Sequence, residues 1–244
     1  MAWRTAPADS VHPDHPALLR QLKAAARPPT PGFDLRAYAG GGHAVLGVPV
    51  PERRRLAGAW LAAHKGATAA EVLALADSLM VGDTNEELSL GPMLAALHKP
   101  SRRALDPARV DRWLDNLQGW AEVDGLCQNT LEAEDFRADW PAWSALIGRL
   151  AGDPNINRRR AALVLLTRPA AKSDDPRVAA LAFATIERLK AEKPILITKA
   201  VSWLLRSLAA RRPAEVAAYL DANAATLPAI AVRETRRKLE TGRK

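Results

Sequence analysis

The chain has 244 residues, of which 48% are hydrophobic and 25% charged, the balance of an ordinary globular protein that can bury a sizeable core. Its net charge of +8 and pI of about 10.0 favour polyanionic partners, chiefly nucleic acid, although an Arg-rich solvated surface explains them equally well. No apolar run approaches the ~20 residues that span a bilayer, and the N-terminus lacks a signal-peptide core, so we expect a cytoplasmic protein. Cys127 is the single cysteine and the five histidines are scattered, which excludes an internal disulfide and predicts neither a metal site nor a bound cofactor.

Helix signals run along the chain, and alternating strand patterns are almost absent. Ala, Leu and Arg fill long stretches in which apolar residues recur three and four apart. The pattern predicts helices, in chain order, at 15–26, 34–39, 51–64, 69–80, 85–98, 107–118, 120–131, 140–150, 155–167, 176–190, 195–210, 214–221 and 228–239.

Start signals support several of these helices. An Asp before a Pro caps a helix whose first position the Pro occupies. This order occurs at Asp106-Pro107, Asp153-Pro154 and Asp175-Pro176. The capping-box spacing occurs at Thr68 with Glu71 and at Thr84 with Glu87.

Short connections between many amphipathic helices predict antiparallel neighbours, and a chain of such pairs without a sheet predicts an all-α fold, an α-solenoid. We expect one domain over 1–244. Within it, residues 1–30 form a loosely attached helix and loop, and residues 241–244 form a frayed tail.

The helix at 195–210 has an unusual polar face. Its core stripe is normal, but Trp203 falls nearly opposite the stripe, between Lys199 and Arg206. Packing against a neighbouring helix explains this Trp. A groove wall that meets a nucleotide, with the two cations on phosphates, is the functional interpretation.

The helix at 120–131 places a carboxylate beside an indole. Trp120 and Asp124 are four residues apart and share a face at the edge of an apolar stripe. A structural Asp bonded to a neighbouring helix is one interpretation. The other is an anion in an aromatic cleft, which suits a positive charge that develops on a substrate.

The helix at 155–167 opens on three arginines, Arg158, Arg159 and Arg160. Cations near a helix start are mildly unfavourable for the helix dipole, so this run needs an explanation. A clamp on phosphates explains it, and so does a solvated first turn.

Together these segments resemble the AlkD-like DNA alkylation repair family. The matching segments are Tyr38, Leu46–Arg54, Trp120–Asp124, Arg158–Ala162 and Lys199–Arg206, and the likeness extends over roughly residues 33 to 240. No single motif is specific, but their order and spacing are. One departure is Gly119, where some members carry a second aromatic residue; another is Pro49, where some place a polar residue.

The resemblance implies a C-shaped array of HEAT-like repeats with a basic concave face. It makes Asp124 the catalytic carboxylate, in a cleft with Trp120 and Trp203. It also implies that Arg160 contacts the DNA backbone near the lesion and that Tyr38 contacts the nucleic acid. Lys199, Arg206 and Arg159 are further candidates for phosphate contacts.

The implied activity is that of a DNA glycosylase of base excision repair. We expect the protein to be monomeric and associated with the nucleoid. It would remove purines alkylated at N3 or N7 from double-stranded DNA without metal or cofactor. A non-catalytic HEAT-repeat scaffold that binds DNA or protein is the main alternative, and an enzyme acting on RNA or another polyanion is a second. The triplet Gly40-Gly41-Gly42 reads as a flexible turn, because it lacks the Gly-Lys-Ser/Thr of a phosphate-binding loop.

Overall fold

The computed structural model describes residues 11–28 and 30–242. The chain divides into two compact units, Met1–Thr130 (unit 1) and Leu131–Lys244 (unit 2). In the described residues the regular structure is helical, apart from one isolated bridge between Ala44 and Thr84. The all-α prediction is therefore confirmed, and the architecture is consistent with an α-solenoid. The HEAT-like repeats, the C shape with its basic concave face and the single domain over 1–244 stay predictions.

The fifteen helices of the described residues follow each other with short connections. Unit 1 holds α1 (His15–Ala24), α2 (Leu35–Ala39), α3 (Val50–Ala63), α4 (Ala69–Leu79), α5 (Asn85–Leu97), α6 (Lys99–Ala104), α7 (Pro107–Leu114) and α8 (Trp120–Thr130). Unit 2 holds α9 (Ala133–Ala138), α10 (Trp140–Leu150), α11 (Ile156–Lys172), α12 (Pro176–Leu189), α13 (Ile195–Leu208), α14 (Pro213–Asn223) and α15 (Ala229–Thr241).

Every helix that the sequence predicts is present, but α6 and α9 were not predicted. Both have six residues, too few for an apolar period to show. Helix α7 ends at Leu114 rather than 118, and α11 continues through Pro169 to Lys172 rather than ending at 167. Helix α15 includes Thr241 and is capped by Gly242, so these two residues are not a tail, and residues 243–244 lie outside the described part.

Most of the predicted start signals act as caps. Asp106 and Asp175 accept hydrogen bonds from the backbone N–H groups of Arg109 and Arg177, and both capping boxes are formed. The prediction for Asp153 is wrong, because Asn155 caps α11. Asp153 instead accepts from the N–H of Asn155 and pairs with Arg158.

Helix α5 is the centre of unit 1, where it packs on α3, α4 and α8. Residues 85–95 of this helix are all buried, including Glu86 and Glu87. These two carboxylates accept hydrogen bonds from residues that precede α5 in the sequence. Glu86 accepts from the backbone N–H groups of Leu46 and Val48, and Glu87 accepts from the N–H of Thr84 and lies 2.7 Å from His15 Nε2.

Helix α1 is part of this core, so the loose attachment expected for residues 1–30 is wrong over α1. Leu18 and Leu22 are 1% and 0% exposed and join the apolar cluster of α3, α4 and α5. Burying each leucine stabilises the attachment by about 1.5–3 kcal/mol. His15 adds its contact with Glu87. Residues 1–10 lie outside the described part.

Helix α11 has the central place in unit 2. It packs on α10, α12 and α13, and α13 packs in turn on α15. Residues 160–167 of α11 are all buried, so this part of the helix has no solvent-exposed polar face. The helix passes through Pro169 without ending, although proline cannot donate the helical hydrogen bond at that position.

Among the described residues, no helix has both the length and the apolarity to cross a membrane. The same part of the chain holds no group of three or more His, Cys, Asp or Glu residues placed to bind a metal ion.

Candidate functional site

Helix α8 carries the predicted catalytic carboxylate. Trp120 is the first residue of α8 and Asp124 lies one turn further on, and both are half-buried. Val123, Leu126 and Cys127 are buried beside them and anchor the helix in unit 1. The carboxylate is thus held at the edge of a rigid apolar stripe, one helical turn from an indole.

Tyr38 lies against Trp120, as part of a row of aromatic side chains. The two rings meet edge to face, with centroids 5.5 Å apart and planes at 84°. The Trp120 indole Nε1–H also donates to the Tyr38 carbonyl oxygen at 2.7 Å. Phe33 continues the row 5.4 Å beyond Tyr38. Phe33 and Tyr38 are 45% and 59% exposed, so this row presents aromatic faces to solvent beside α8.

The glycine triplet after α2 packs tightly against the start of α8. Gly40 has a left-handed φ of +68°, and a Cβ there would lie 2.8 Å from Trp120 Cδ1. A Cβ on Gly119 would lie 2.5 Å from the Gly41 nitrogen and 2.6 Å from the Ala39 oxygen. The triplet is therefore a packing surface, where the sequence suggested only a flexible turn. The contact also explains why Gly119 cannot be the second aromatic residue of some family members.

A buried acid lies beneath this turn. Glu122 is 2% exposed and accepts from the Gln118 backbone N–H at 2.8 Å. Its other oxygen lies 2.9 Å from Nδ1 of His43, which is 8% exposed. Sequence analysis did not select either residue. A Glu in the first turn of α8 was the available signal, whereas nothing in the sequence marked His43 as its partner.

In unit 2, α13 presents the predicted aromatic and basic side chains. Lys199 is exposed and Trp203 is half-buried, so Trp203 does not belong to the core stripe of the helix. Arg206 donates to the Ser202 carbonyl oxygen and lies 3.4 Å from Glu234 of α15. Ser202 donates to the same carboxylate at 2.5 Å. Glu234 therefore orients the Arg206 guanidinium along α13.

The arginine run at the start of α11 is held by protein groups. Arg158 pairs with Asp153 at 2.8 Å. Arg159 forms a two-point contact with Glu192 and donates to two backbone carbonyls of the preceding loop. Arg160 is 5% exposed and donates to the Leu196 carbonyl oxygen. The solvated first turn considered for these arginines is therefore wrong, and their contact with DNA stays a prediction.

The predicted site residues thus fall into two groups. Tyr38, Trp120 and Asp124 lie in unit 1, where the structure brings Tyr38 and Trp120 into contact. The group in unit 2 lies on the neighbouring helices α11 and α13 and consists of Arg159, Arg160, Lys199, Trp203 and Arg206.

The comparison with protein families agrees with these observations. The family model described as DNA alkylation repair enzyme matches residues 18–239. This match covers nearly the whole chain, so the protein belongs to that family. The resemblance inferred from the sequence is confirmed.

The chain is also similar to a solved structure, the predicted DNA alkylation repair enzyme from Enterococcus faecalis. The two chains are 19% identical, and the match covers 85% of this chain and 93% of the other with a TM-score of 0.64. At this identity the likeness concerns the fold. The comparison with curated proteins found no match.

Proposed function

We propose that this chain is a DNA glycosylase that removes N3- or N7-alkylated purines from duplex DNA. Membership of the DNA alkylation repair family supports DNA as the substrate. The observation that carries the proposal is the position of Asp124, half-buried on α8 and one turn from the indole of Trp120.

Alkylation at N3 or N7 leaves a purine with a positive charge, and this makes the base a good leaving group. When the bond between C1′ and the base nitrogen breaks, its electron pair goes to the base and neutralises that charge. The positive charge passes to the deoxyribose, as in sugar hydrolysis generally. No general acid is needed, because the leaving base does not have to be protonated.

In this proposal Asp124 has two roles. Its carboxylate stabilises the positive charge that develops on the sugar, and it orients the water that adds to C1′ and accepts the proton that this water loses. The electron-rich face of Trp120 favours the same cation by ~0.5–2 kcal/mol. Tyr38 supports that indole from one side, since it contacts the ring edge to face and accepts its N–H.

The basic residues of unit 2 would supply affinity for the DNA backbone. Lys199 and Arg206 lie on α13 beside Trp203, and Arg159 and Arg160 lie on α11. Each contact between such a cation and a phosphate releases a condensed counterion, so binding should weaken as salt is added. Trp203 is proposed to contact the sugar and backbone, where a half-buried aromatic ring can exclude water.

The experiment is release of 7-methylguanine from methylated duplex DNA by wild type and Asp124→Asn, assayed side by side. We expect wild type to release the base and Asp124→Asn to release far less, with an unchanged helical circular dichroism spectrum. Asp221→Asn is the matched control, because this carboxylate is exposed and paired only loosely with Arg236, at 3.6 Å. It should excise like wild type.

The outcomes separate the candidate functions. Release by Asp124→Asn at the wild-type rate would remove the proposed mechanism. No release by a folded wild-type protein that still binds duplex DNA would support the non-catalytic DNA-binding scaffold. Preference for RNA over duplex DNA would support the other alternative.

A further inference from the structure

We infer that Glu122 and His43 are positioning residues that hold Tyr38 and the glycine turn against the start of α8, a role that rests on the proposed function. Glu122 lies two residues before Asp124 on α8, and His43 packs against it from the glycine turn. Both side chains are buried, so neither faces the proposed substrate. The pair therefore acts through Trp120 and Tyr38.

The carboxylate of Glu122 has two partners of different origin. One oxygen accepts from the Gln118 N–H, which precedes α8, and the other lies 2.9 Å from His43 Nδ1, which follows the glycine turn. An ionised carboxylate can only accept, so this contact is a hydrogen bond when the His43 Nδ1 carries the proton and donates it. At 1% exposure for the Glu122 side chain, water cannot easily replace either bond.

The backbone around the pair leaves little freedom. Gly119 and Gly41 approach so closely that no Cβ fits between them. On its far side the same segment is tied to the start of α5, where Ala44 donates to the Asp83 carbonyl oxygen and accepts from the Asn85 N–H. The segment is thus held at both ends, and the contact between His43 and Glu122 links it to α8 beside the packing of Gly40 on the Trp120 side chain.

Helix α2 ends at this turn, so the position of the turn sets the position of Tyr38. Only Gly40 and two further glycines separate the end of α2 at Ala39 from His43. If His43 loses its bond, the turn can move away from Gly119, and the Tyr38 carbonyl then moves away from the Trp120 indole N–H. The wall beside Asp124 would lose its fixed geometry while Asp124 itself stays on α8.

The test compares His43→Leu with His43→Asn. Leucine fills the space without a donor, whereas the Asn Nδ2 takes the place of the imidazole Nδ1 and can still donate to Glu122. The first measurement is amide hydrogen exchange of residues 34–46 in the full-length protein. We expect exchange to rise about tenfold in His43→Leu, as loss of one buried hydrogen bond predicts, and to stay near wild type in His43→Asn.

The second measurement is the single-turnover rate of 7-methylguanine excision beside the duplex dissociation constant. We expect His43→Leu to excise on the order of tenfold more slowly with its dissociation constant changed by less than about twofold, and His43→Asn to recover the rate. Unchanged exchange in a folded His43→Leu protein would overturn the inference. So would equal rates for the Leu and Asn variants.

The two measurements keep this inference apart from the proposed function. If wild type releases no base, the proposed glycosylase fails, while hydrogen exchange still decides whether the pair holds the turn. If wild type excises and only the exchange prediction fails, the glycosylase stands and the pair has no positioning role.

Discussion

The two units differ sharply in charge. Unit 1 contains 14 Lys and Arg against 14 Asp and Glu, a formal net charge of zero, whereas unit 2 contains 21 against 13 and carries the whole excess of +8. Unit 1 also buries acids deeply, with Glu86, Glu87 and Glu122 at 1–3% exposure. The buried charged residue of unit 2 among those described is the cation Arg160.

This difference suggests a division of work. A neutral unit with buried acids can hold a catalytic carboxylate in a defined place but gains little from attraction to DNA. A strongly basic unit attracts a polyanion over a distance and holds it through phosphates. Changes in unit 1 should therefore affect the chemical step or the stability of the fold, and changes in unit 2 should affect binding and its salt dependence.

Asp124→Asn should give the largest effect and the clearest test of the different roles of the two units. We expect kcat to fall by about 10²–10³, or ~3–4 kcal/mol of transition-state stabilisation, because the variant loses the charge that we propose faces the developing cation. The duplex dissociation constant should stay the same or fall, since an anion is removed. Parallel excision and fluorescence-anisotropy titrations measure both, and weaker binding with an unchanged kcat would contradict the division.

Glu86→Leu tests the buried acids of unit 1. The variant leaves the N–H groups of Leu46 and Val48 without their acceptor, at a cost of about 1–3 kcal/mol for each buried donor. The melting temperature should fall clearly. Glu192→Leu is the control in unit 2, where the side chain is 25% exposed and pairs with Arg159. Ion pairs that water can reach contribute ~0–1 kcal/mol, so equal losses of stability in both variants would remove the contrast.

Acidification should weaken unit 1 through Glu87. Burial raises the pKa of this carboxyl, but hydrogen bonds from His15 and Thr84 outweigh burial and leave its pKa below the usual 4.5. A lowered folded pKa contributes stability that is present above pH 4.5 and is lost as pH falls through the folded pKa. Glu87→Gln should therefore flatten the dependence of the unfolding free energy on pH below 4.5. A denaturant series between pH 3 and 7 measures this, and an unchanged slope would contradict it.

Lys199→Ala should give the smallest effect. Loss of one phosphate contact lowers the slope of log K against log salt by about 1 and weakens binding evenly across sequences. Arg54→Ala in unit 1 is the control, since Arg54 is also exposed and cationic. If both variants change the slope equally, the net charges of the units do not determine which one binds DNA.

The sequence predicted the helical fold well because its signals are local. Apolar spacing and caps such as Thr84 with Glu87 act within a few residues, so they can be read from the chain. For the candidate site, the sequence could predict only which residues share a helix, such as Trp120 and Asp124 on α8. The contacts of His43 with Glu122 and of Gly41 with Gly119 join residues 79 and 78 positions apart, and no periodicity records them. Asp153 shows the limit even for caps, because Asn155 competed for the same helix end.

Because Cys127 is buried, its thiol can serve as a chemical probe of local unfolding. Its thiol is the single one in 244 residues, lies on α8 and is 1% exposed. A thiol-reactive dye can therefore modify the folded protein only when the region around α8 opens, and the labelling rate reports the free energy of that opening. Because no other thiol competes, the unlabelled fraction gives the share of molecules in which the region around α8 is folded. This can be measured before any excision assay begins.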